Sequence, residues 1–177
     1  GINSLRALVT FKNKLYTSPI GMTGNIVNAS RYPVVFESED PAKGEWRMVS
    51  TPGFGDPNNV VVFNLQVMGD YLYAGTMNVA TGFQIWKTDG EGPAPYRWTK
   101  VIDYGAYRGK FNEGIAAMAT YKGALYVGAS IQDGGYDRMN GIGPAGGEVI
   151  RIYPDDSWDL VMGTPRLTPG GLKTPTS

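Results

Sequence analysis

The sequence predicts an all-β fold built from a repeated four-stranded antiparallel sheet, and three observations lead there. One short element recurs as Leu15-Tyr16-Thr17-Ser18, Leu72-Tyr73-Ala74-Gly75-Thr76 and Leu125-Tyr126-Val127-Gly128, at spacings of 57 and 53 residues. Each copy has an apolar residue seven positions upstream (Leu8, Leu65, Met118) and a tryptophan downstream (Trp46, Trp98, Trp158). A period of this size means one supersecondary unit used repeatedly. Apolar and polar residues alternate between turn signals, the signature of short strands, and no segment carries a convincing helical period. Finally, Gly (25) and Pro (12) exceed a fifth of the 177 residues while aromatics reach 12%. That pairing indicates tight turns between strands with rings to bury, not disorder.

The first unit opens on 2–11, where Leu5, Ala7, Val9 and Phe11 alternate with Arg6, Leu8 and Thr10. Lys12-Asn13-Lys14 turns this strand into the Leu15–Ser18 strand, forming a hairpin. A polar connection over 19–33 leads to a third strand, 34–38, and the turn 39–44 leads to a fourth, 45–50. The second unit repeats the plan after the turn-rich link 51–59. Its strands are 60–68, 71–76, 82–87 and 97–102, with Gly69-Asp70 as the hairpin turn. The third unit follows the link 103–113, with strands at 115–121, 124–129, 148–153 and 158–162. Residues 163–177, rich in Pro, Gly and Thr, show neither strand nor helix periodicity and are expected to be a tail or a link to a further unit.

Four antiparallel strands per unit, repeated at about 55 residues, describe the blades of a β-propeller, in which successive sheets cover one another's faces. The expected fold is a partial β-propeller of about three four-stranded antiparallel blades. It forms one domain over 1–177, with blades at 1–50, 60–102 and 114–162. Propellers typically use 4 to 8 blades. Closing the ring therefore calls for further blades, from the same longer chain or from other copies.

The turns between third and fourth strands carry a resemblance. Thr88-Asp89-Gly90 followed by Trp98, Ser38-x-Asp40 with Gly44 and Trp46, and Asp155-Asp156-Ser157-Trp158 are similar to the Asp-box of sialidase-like propellers. In that motif Asp accepts turn amide hydrogens, Gly permits a positive φ and Trp packs into the blade. The spacing departs from the strict motif in all three copies, so the likeness speaks to architecture. The Leu-Tyr-x-Gly element also resembles kelch-type strands. The recurring tyrosines and tryptophans, Tyr16, Tyr73, Tyr126, Trp46, Trp98 and Trp158, are expected in the core.

Composition narrows the chemistry. Cys is absent, which excludes disulfides, thiolate metal sites and a Cys nucleophile. His is absent as well, removing the Ser-His-Asp triad, imidazole ligands and the usual acid–base residue near neutral pH. Sixteen basic and sixteen acidic residues cancel, so no basic footprint for nucleic acid is evident. No apolar run approaches the length of a membrane-spanning helix.

In a propeller the second-to-third-strand links and the blade-to-blade links share one face, and function usually sits on such loops. The richest link, 103–113, carries Tyr104, Tyr107, Arg108, Asn112 and Glu113, residues suited to stacking on a sugar ring and bonding its hydroxyls. Arg138 joins them from the link 130–146. Oxygen donors at Asp133, Asp137 and Asn140 are the one place where the sequence admits Ca2+, although their spacing is not that of an EF-hand. No other cofactor is expected. Asn28-Ala29-Ser30 is a formal glycosylation sequon.

The expected function is a non-catalytic interaction or structural module, outside the cytoplasm, that presents propeller loops to a protein or glycan partner. The alternative is a secreted glycoside hydrolase or lyase of sialidase-like type. A sialidase-like site would draw on Arg31, Arg108 and Arg138 with Tyr104, Tyr107, Glu113 and Asp133, and part of it would lie outside this chain.

Overall fold

The computed structural model describes residues 2, 4–23, 26, 27 and 29–176. In chain order the strands are β1 (Ser4–Phe11), β2 (Lys14–Ile20), β3 (Met22–Thr23), β4 (Ile26–Val27), β5 (Phe36–Ser38) and β6 (Arg47–Met48). They continue as β7 (Asn59–Met68), β8 (Tyr71–Asn78), β9 (Ile85–Thr88), β10 (Thr99–Ile102), β11 (Gly114–Tyr121), β12 (Ala124–Ser130), β13 (Glu148–Ile152) and β14 (Trp158–Met162). Last come β15 (Arg166–Thr168) and β16 (Gly171–Lys173). Three four-stranded antiparallel sheets result, ordered β1-β2-β5-β6, β7-β8-β9-β10 and β11-β12-β13-β14. The fold is the expected all-β partial propeller of three blades.

The repeated Leu-Tyr element sets a common register. Leu15, Leu72 and Leu125 pair with Ser38, Thr88 and Ile152 on the neighbouring third strands. Tyr16, Tyr73 and Tyr126 therefore face Glu37, Lys87 and Arg151. The period of two sends consecutive residues to opposite faces. On β8, Leu72 and Ala74 join the core shared with blade 1, alongside Tyr16, Val35 and Val49. Tyr73 joins the core shared with blade 3, alongside Ile115, Leu125 and Ile150. One strand thus serves two cores, each buried aliphatic side chain contributing about 1.5–3 kcal/mol of transfer free energy. Gly75 lets the sheets approach, since a Cβ there would lie 2.4 Å from Ile115 Cδ1.

Loops between third and fourth strands tie each blade to the one before it. Tyr96 donates its hydroxyl to Glu37 at 2.7 Å, and Tyr96 N and Trp98 Nε1 both donate to the Val49 carbonyl at 2.9 Å. One blade on, Lys87 donates to Asp156 at 2.6 Å.

Three expectations need correction. The polar link 19–33 contains a small hairpin, β3 with β4, although Asn28 of the sequon lies outside the described residues. The segment after Gly163 is not structureless: β15 and β16 pair across the turn at Pro169-Gly170. Its strands are too short for a period to show. Tyr16 and Tyr73 are core residues at 1% exposure, but Tyr126 and the three repeat tryptophans are only half-buried. Tyr126 lies on the side of β12 opposite Leu125 and Val127, with the Tyr121 ring 6.1 Å away.

Candidate functional face

Antiparallel order places the links 19–33, 51–59, 79–82, 103–113 and 130–146 at one end of the sheets, and the hairpin turns at the other. The loop end is organised by a polar node that occurs twice. Between blades 1 and 2, Asn59 Nδ2 donates to the Gly53 carbonyl (2.8 Å) and to Gln84 Oε1 (2.7 Å). Between blades 2 and 3, Asn112 Nδ2 donates to the Gly105 carbonyl (2.9 Å) and to Glu148 Oε2 (2.7 Å). Both asparagines are buried, so each amide satisfies a link carbonyl that water cannot reach.

The first node extends to the surface. Gln84 Nε2 donates to Asp56 Oδ2 (3.0 Å) and Asp103 Oδ1 (3.1 Å), and Asn78 Nδ2 reaches Asp56 Oδ2 at 3.3 Å. In the second node a carboxylate replaces the amide. The Glu148 side chain is wholly buried and is met by two arginines. Arg166 Nη1 donates to Oε1 at 2.9 Å, while Nη2 lies 2.8 Å from Oε2 without the alignment of a hydrogen bond. Arg108 Nε stands 3.4 Å from Oε1, and Thr164 N donates to the same oxygen at 2.8 Å. A carboxylate is tolerated there only because cations and donors surround it.

Beside this node the link 103–113 turns left-handed. Tyr104, Gly105, Ala106 and Tyr107 all have positive φ, at 51, 58, 53 and 65°. Left-handed helical geometry costs L-residues roughly 1–2 kcal/mol each. Four bonds hold the turn against that cost. Asp103 Oδ1 accepts from Tyr104 N, Gly105 N donates to the Phe83 carbonyl, Asn112 donates to the Gly105 carbonyl, and Arg166 Nε donates to the Ala106 carbonyl. The turn carries Tyr104 and Tyr107 outward at 52% and 39% exposure, their ring centroids 6.2 Å apart. Phe111 is exposed nearby, with the Arg108 guanidinium 5.9 Å from its centroid.

The structure divides the residues the sequence singled out. Tyr104 and Tyr107 come together as a surface pair. Arg108 braces the face from below, donating to Asn112 Oδ1 (3.2 Å), the Gly146 carbonyl (2.8 Å) and Thr164 Oγ1 (3.3 Å). Asn112 and Glu113 are interior, and the Glu113 carbonyl accepts from Asn78 N. Arg138 is exposed and 3.9 Å from Asp133. Asp137 is buried and closes its own turn, with Oδ1 accepting from Met139 N and Asn140 N and Oδ2 from Asn140 Nδ2. Among the described residues no group of three or more His, Cys, Asp or Glu gathers for a metal ion. Arg31 is exposed on its link.

The sequence reading missed Asn59, Gln84, Glu148 and Arg166. A signal was present. With the units aligned on Leu-Tyr, Gln84 and Glu148 fall one residue before the position paired with Gly75 or Gly128. Asn59 and Asn112 follow their link glycines by six and seven residues.

No protein-family model matches this sequence, and no curated protein does. Among solved structures the chain is similar in fold to one titled Bacteroides ovatus Xyloglucan PUL GH43B, with a TM-score of 0.53 and 11% identity. The match covers 95% of this chain and 34% of that one, so the chain spans about a third of its neighbour's length. The neighbour is propeller-like, in agreement with the three sheets.

Proposed function

We propose that this chain is a non-catalytic binding module whose loop face presents the Tyr104–Tyr107 pair to a glycan, with a protein surface as the other admissible partner. One observation carries the reading: two exposed rings ride on a left-handed turn that the fold holds from four sides, while Glu148 beneath is committed to Arg108 and Arg166. Backbone strain maintained by surrounding bonds is characteristic of ligand-presenting sites. Rigid tyrosines offer apolar faces and a hydroxyl at little entropic cost. The carbohydrate in the neighbour's title is compatible with a glycan partner and with a secreted setting.

The same reading takes 1–177 as one propeller domain with blades at 1–50, 60–102 and 114–162. It takes the third-to-fourth-strand turns as degenerate Asp-boxes. In support, Asp89 Oδ1 accepts from Glu91 N and Asp155 Oδ1 accepts from Ser157 N, both at 3.0 Å.

A second reading, a glycoside hydrolase or lyase, is favoured by one geometric fact. Asp56 and Asp103 each lie about 3 Å from the same Gln84 nitrogen on the loop face, which brings two carboxylates close together.

A glycan array followed by calorimetry separates the two. Binding module behaviour means a captured oligosaccharide, at least tenfold weaker affinity in Tyr104→Ala/Tyr107→Ala, and no release of reducing sugar. Turnover abolished by Asp56→Asn or Asp103→Asn establishes the enzyme instead. An array with no captured glycan, together with no protein recovered in a pull-down, removes the module reading.

A further inference from the structure

The turn that carries Tyr104 and Tyr107 has an equivalent one blade earlier, and the two are anchored differently. Gly53 and Gly105 correspond, since the buried amides of Asn59 and Asn112 bond their carbonyls. The next residues, Phe54 and Ala106, are both left-handed, at φ/ψ of 55/28° and 53/42°. A residue with a Cβ keeps that conformation only when something outside it supplies a hold. Phe54 anchors through its own side chain, its ring stacked on Trp86 at 5.2 Å and tilted against Trp98 at 5.0 Å. Ala106 is fully buried but has no ring to wedge between the blades. Its carbonyl is held instead by Arg166 Nε at 2.7 Å, from a segment 60 residues further along the chain.

Arg166 reaches the turn because the chain leaves blade 3 directly over Glu148. A Cβ on Gly163 would collide with the Glu148 carboxylate, so glycine lets the backbone pass that close. Thr164 N then donates to Glu148 Oε1 at 2.8 Å, and Thr164 Oγ1 accepts from Arg108 at 3.3 Å. Arg166 Nη1 donates to Glu148 Oε1 and to the Thr164 carbonyl, both at 2.9 Å, which fixes the guanidinium plane and aims Nε at Ala106. The planar fork serves carboxylate and carbonyl at once, whereas a lysine ammonium is a single point of charge. Lys173, opposite Arg166 in the β15–β16 hairpin, fastens the segment to blade 3. Its Nζ donates to the Trp158 carbonyl and stands 4.9 Å from the Trp158 ring centroid, and Thr176 N donates to the Leu160 carbonyl at 2.8 Å.

We infer that Arg166 is a positioning residue for the Tyr104–Tyr107 turn, through which docking of the 163–176 segment sets how the two rings are presented. Coupling of this kind is reciprocal, so a ligand that fixes the rings also tightens the docked segment. The inference rests on the reading of that turn as the ligand-presenting element. Its test needs no ligand, so a failure here and a failure of the glycan array are separate outcomes.

Amide hydrogen exchange of the whole chain, with Arg166→Lys, Lys173→Ala and the double variant beside the wild type, tests the link. The expected result in Arg166→Lys is exchange about tenfold faster over 104–109, as the loss of one hydrogen bond allows, with the equivalent link 51–59 at its wild-type rate. Lys173→Ala loosens the hairpin without touching the turn, and is expected to speed the same segment while adding nothing once Arg166 is replaced. Arg166→Lys keeps a cation beside Glu148, so wild-type exchange over 104–109 in that variant would mean that Arg166 only neutralises the carboxylate, and overturns the proposal. Equal acceleration over 51–59 would mean a general loosening of the fold and overturns it too, as do additive effects of the two substitutions.

Discussion

Glu37 shows how one residue's chemistry is set by where the register places it. Its side chain is 1% exposed, and burial alone would raise its pKa. Hydrogen bonds from Tyr96, Tyr16, Lys14 and Arg47 outweigh that and hold the carboxyl below its ordinary value. A depressed folded pKa adds stability above the unfolded value of about 4.3, and that stability is lost as pH falls through the folded pKa. Urea midpoints measured from pH 7 down to 3 are therefore expected to fall more steeply in the wild type than in Glu37→Gln, the two curves converging in acid. Parallel curves would remove Glu37 from the acid transition. Tyr16 beside it moves the other way. Burial, then its hydrogen bond to Glu37 and the charge there, pushes its phenol well above the ordinary tyrosine value, while burial pushes Tyr73 up to about 12. None of this was legible in the chain as a string. Tyr96 is 59 residues from Glu37, and only the packing of blade 2 on blade 1 brings them together.

At the scale of the element, the left-handed turn at 104–107 is stable because its neighbours fit it. Gly105 is the position where that fit is tightest. A Cβ there would stand 2.8 Å from both Asn112 Cβ and the Asn112 carbonyl oxygen, and backbone cannot yield as a flexible side chain can. Gly109, four residues on, has a similar φ of 63° and nothing within 4 Å. Gly105→Ala is expected to cost about 2 kcal/mol or more through overpacking, and Gly109→Ala about 1 kcal/mol through backbone strain alone. Equal losses in urea denaturation would show that Asn112 does not brace the turn. The hairpins of each blade were legible beforehand, because a period of two and a repeated Leu-Tyr fix strands seven or more residues long. The fourth strand of blade 1 was expected over 45–50 and extends only over Arg47–Met48. Beyond it Val49 N still bonds the Val35 carbonyl of its own blade, while the Val49 carbonyl accepts from Tyr96 and Trp98 and so serves the joint with blade 2.

The whole molecule separates its two ends. At one end, the loops before the fourth strands carry Tyr96 and Asp156 across to the preceding blade and act as fasteners. At the other, Asn59 and Asn112 pin the links from inside and leave Tyr104, Tyr107 and Phe111 facing outward. Of these the sequence singled out Tyr104 and Tyr107 but not Phe111, because loops rich in Tyr, Arg and Asn stand out between repeats. It did not reveal that Asn112 and Glu113 of the same link face inward, since burial there depends on Glu148 and Asn78 from other segments. Hydrogen exchange with and without the captured oligosaccharide tests this division most directly. Ligand-induced protection is expected over 103–113 and the adjoining 130–146 link, with 39–46 and 89–98 unchanged. Protection centred on 39–46 and 89–98, with the Tyr104–Tyr107 turn unaffected, would place the binding surface on the opposite end and contradict the account.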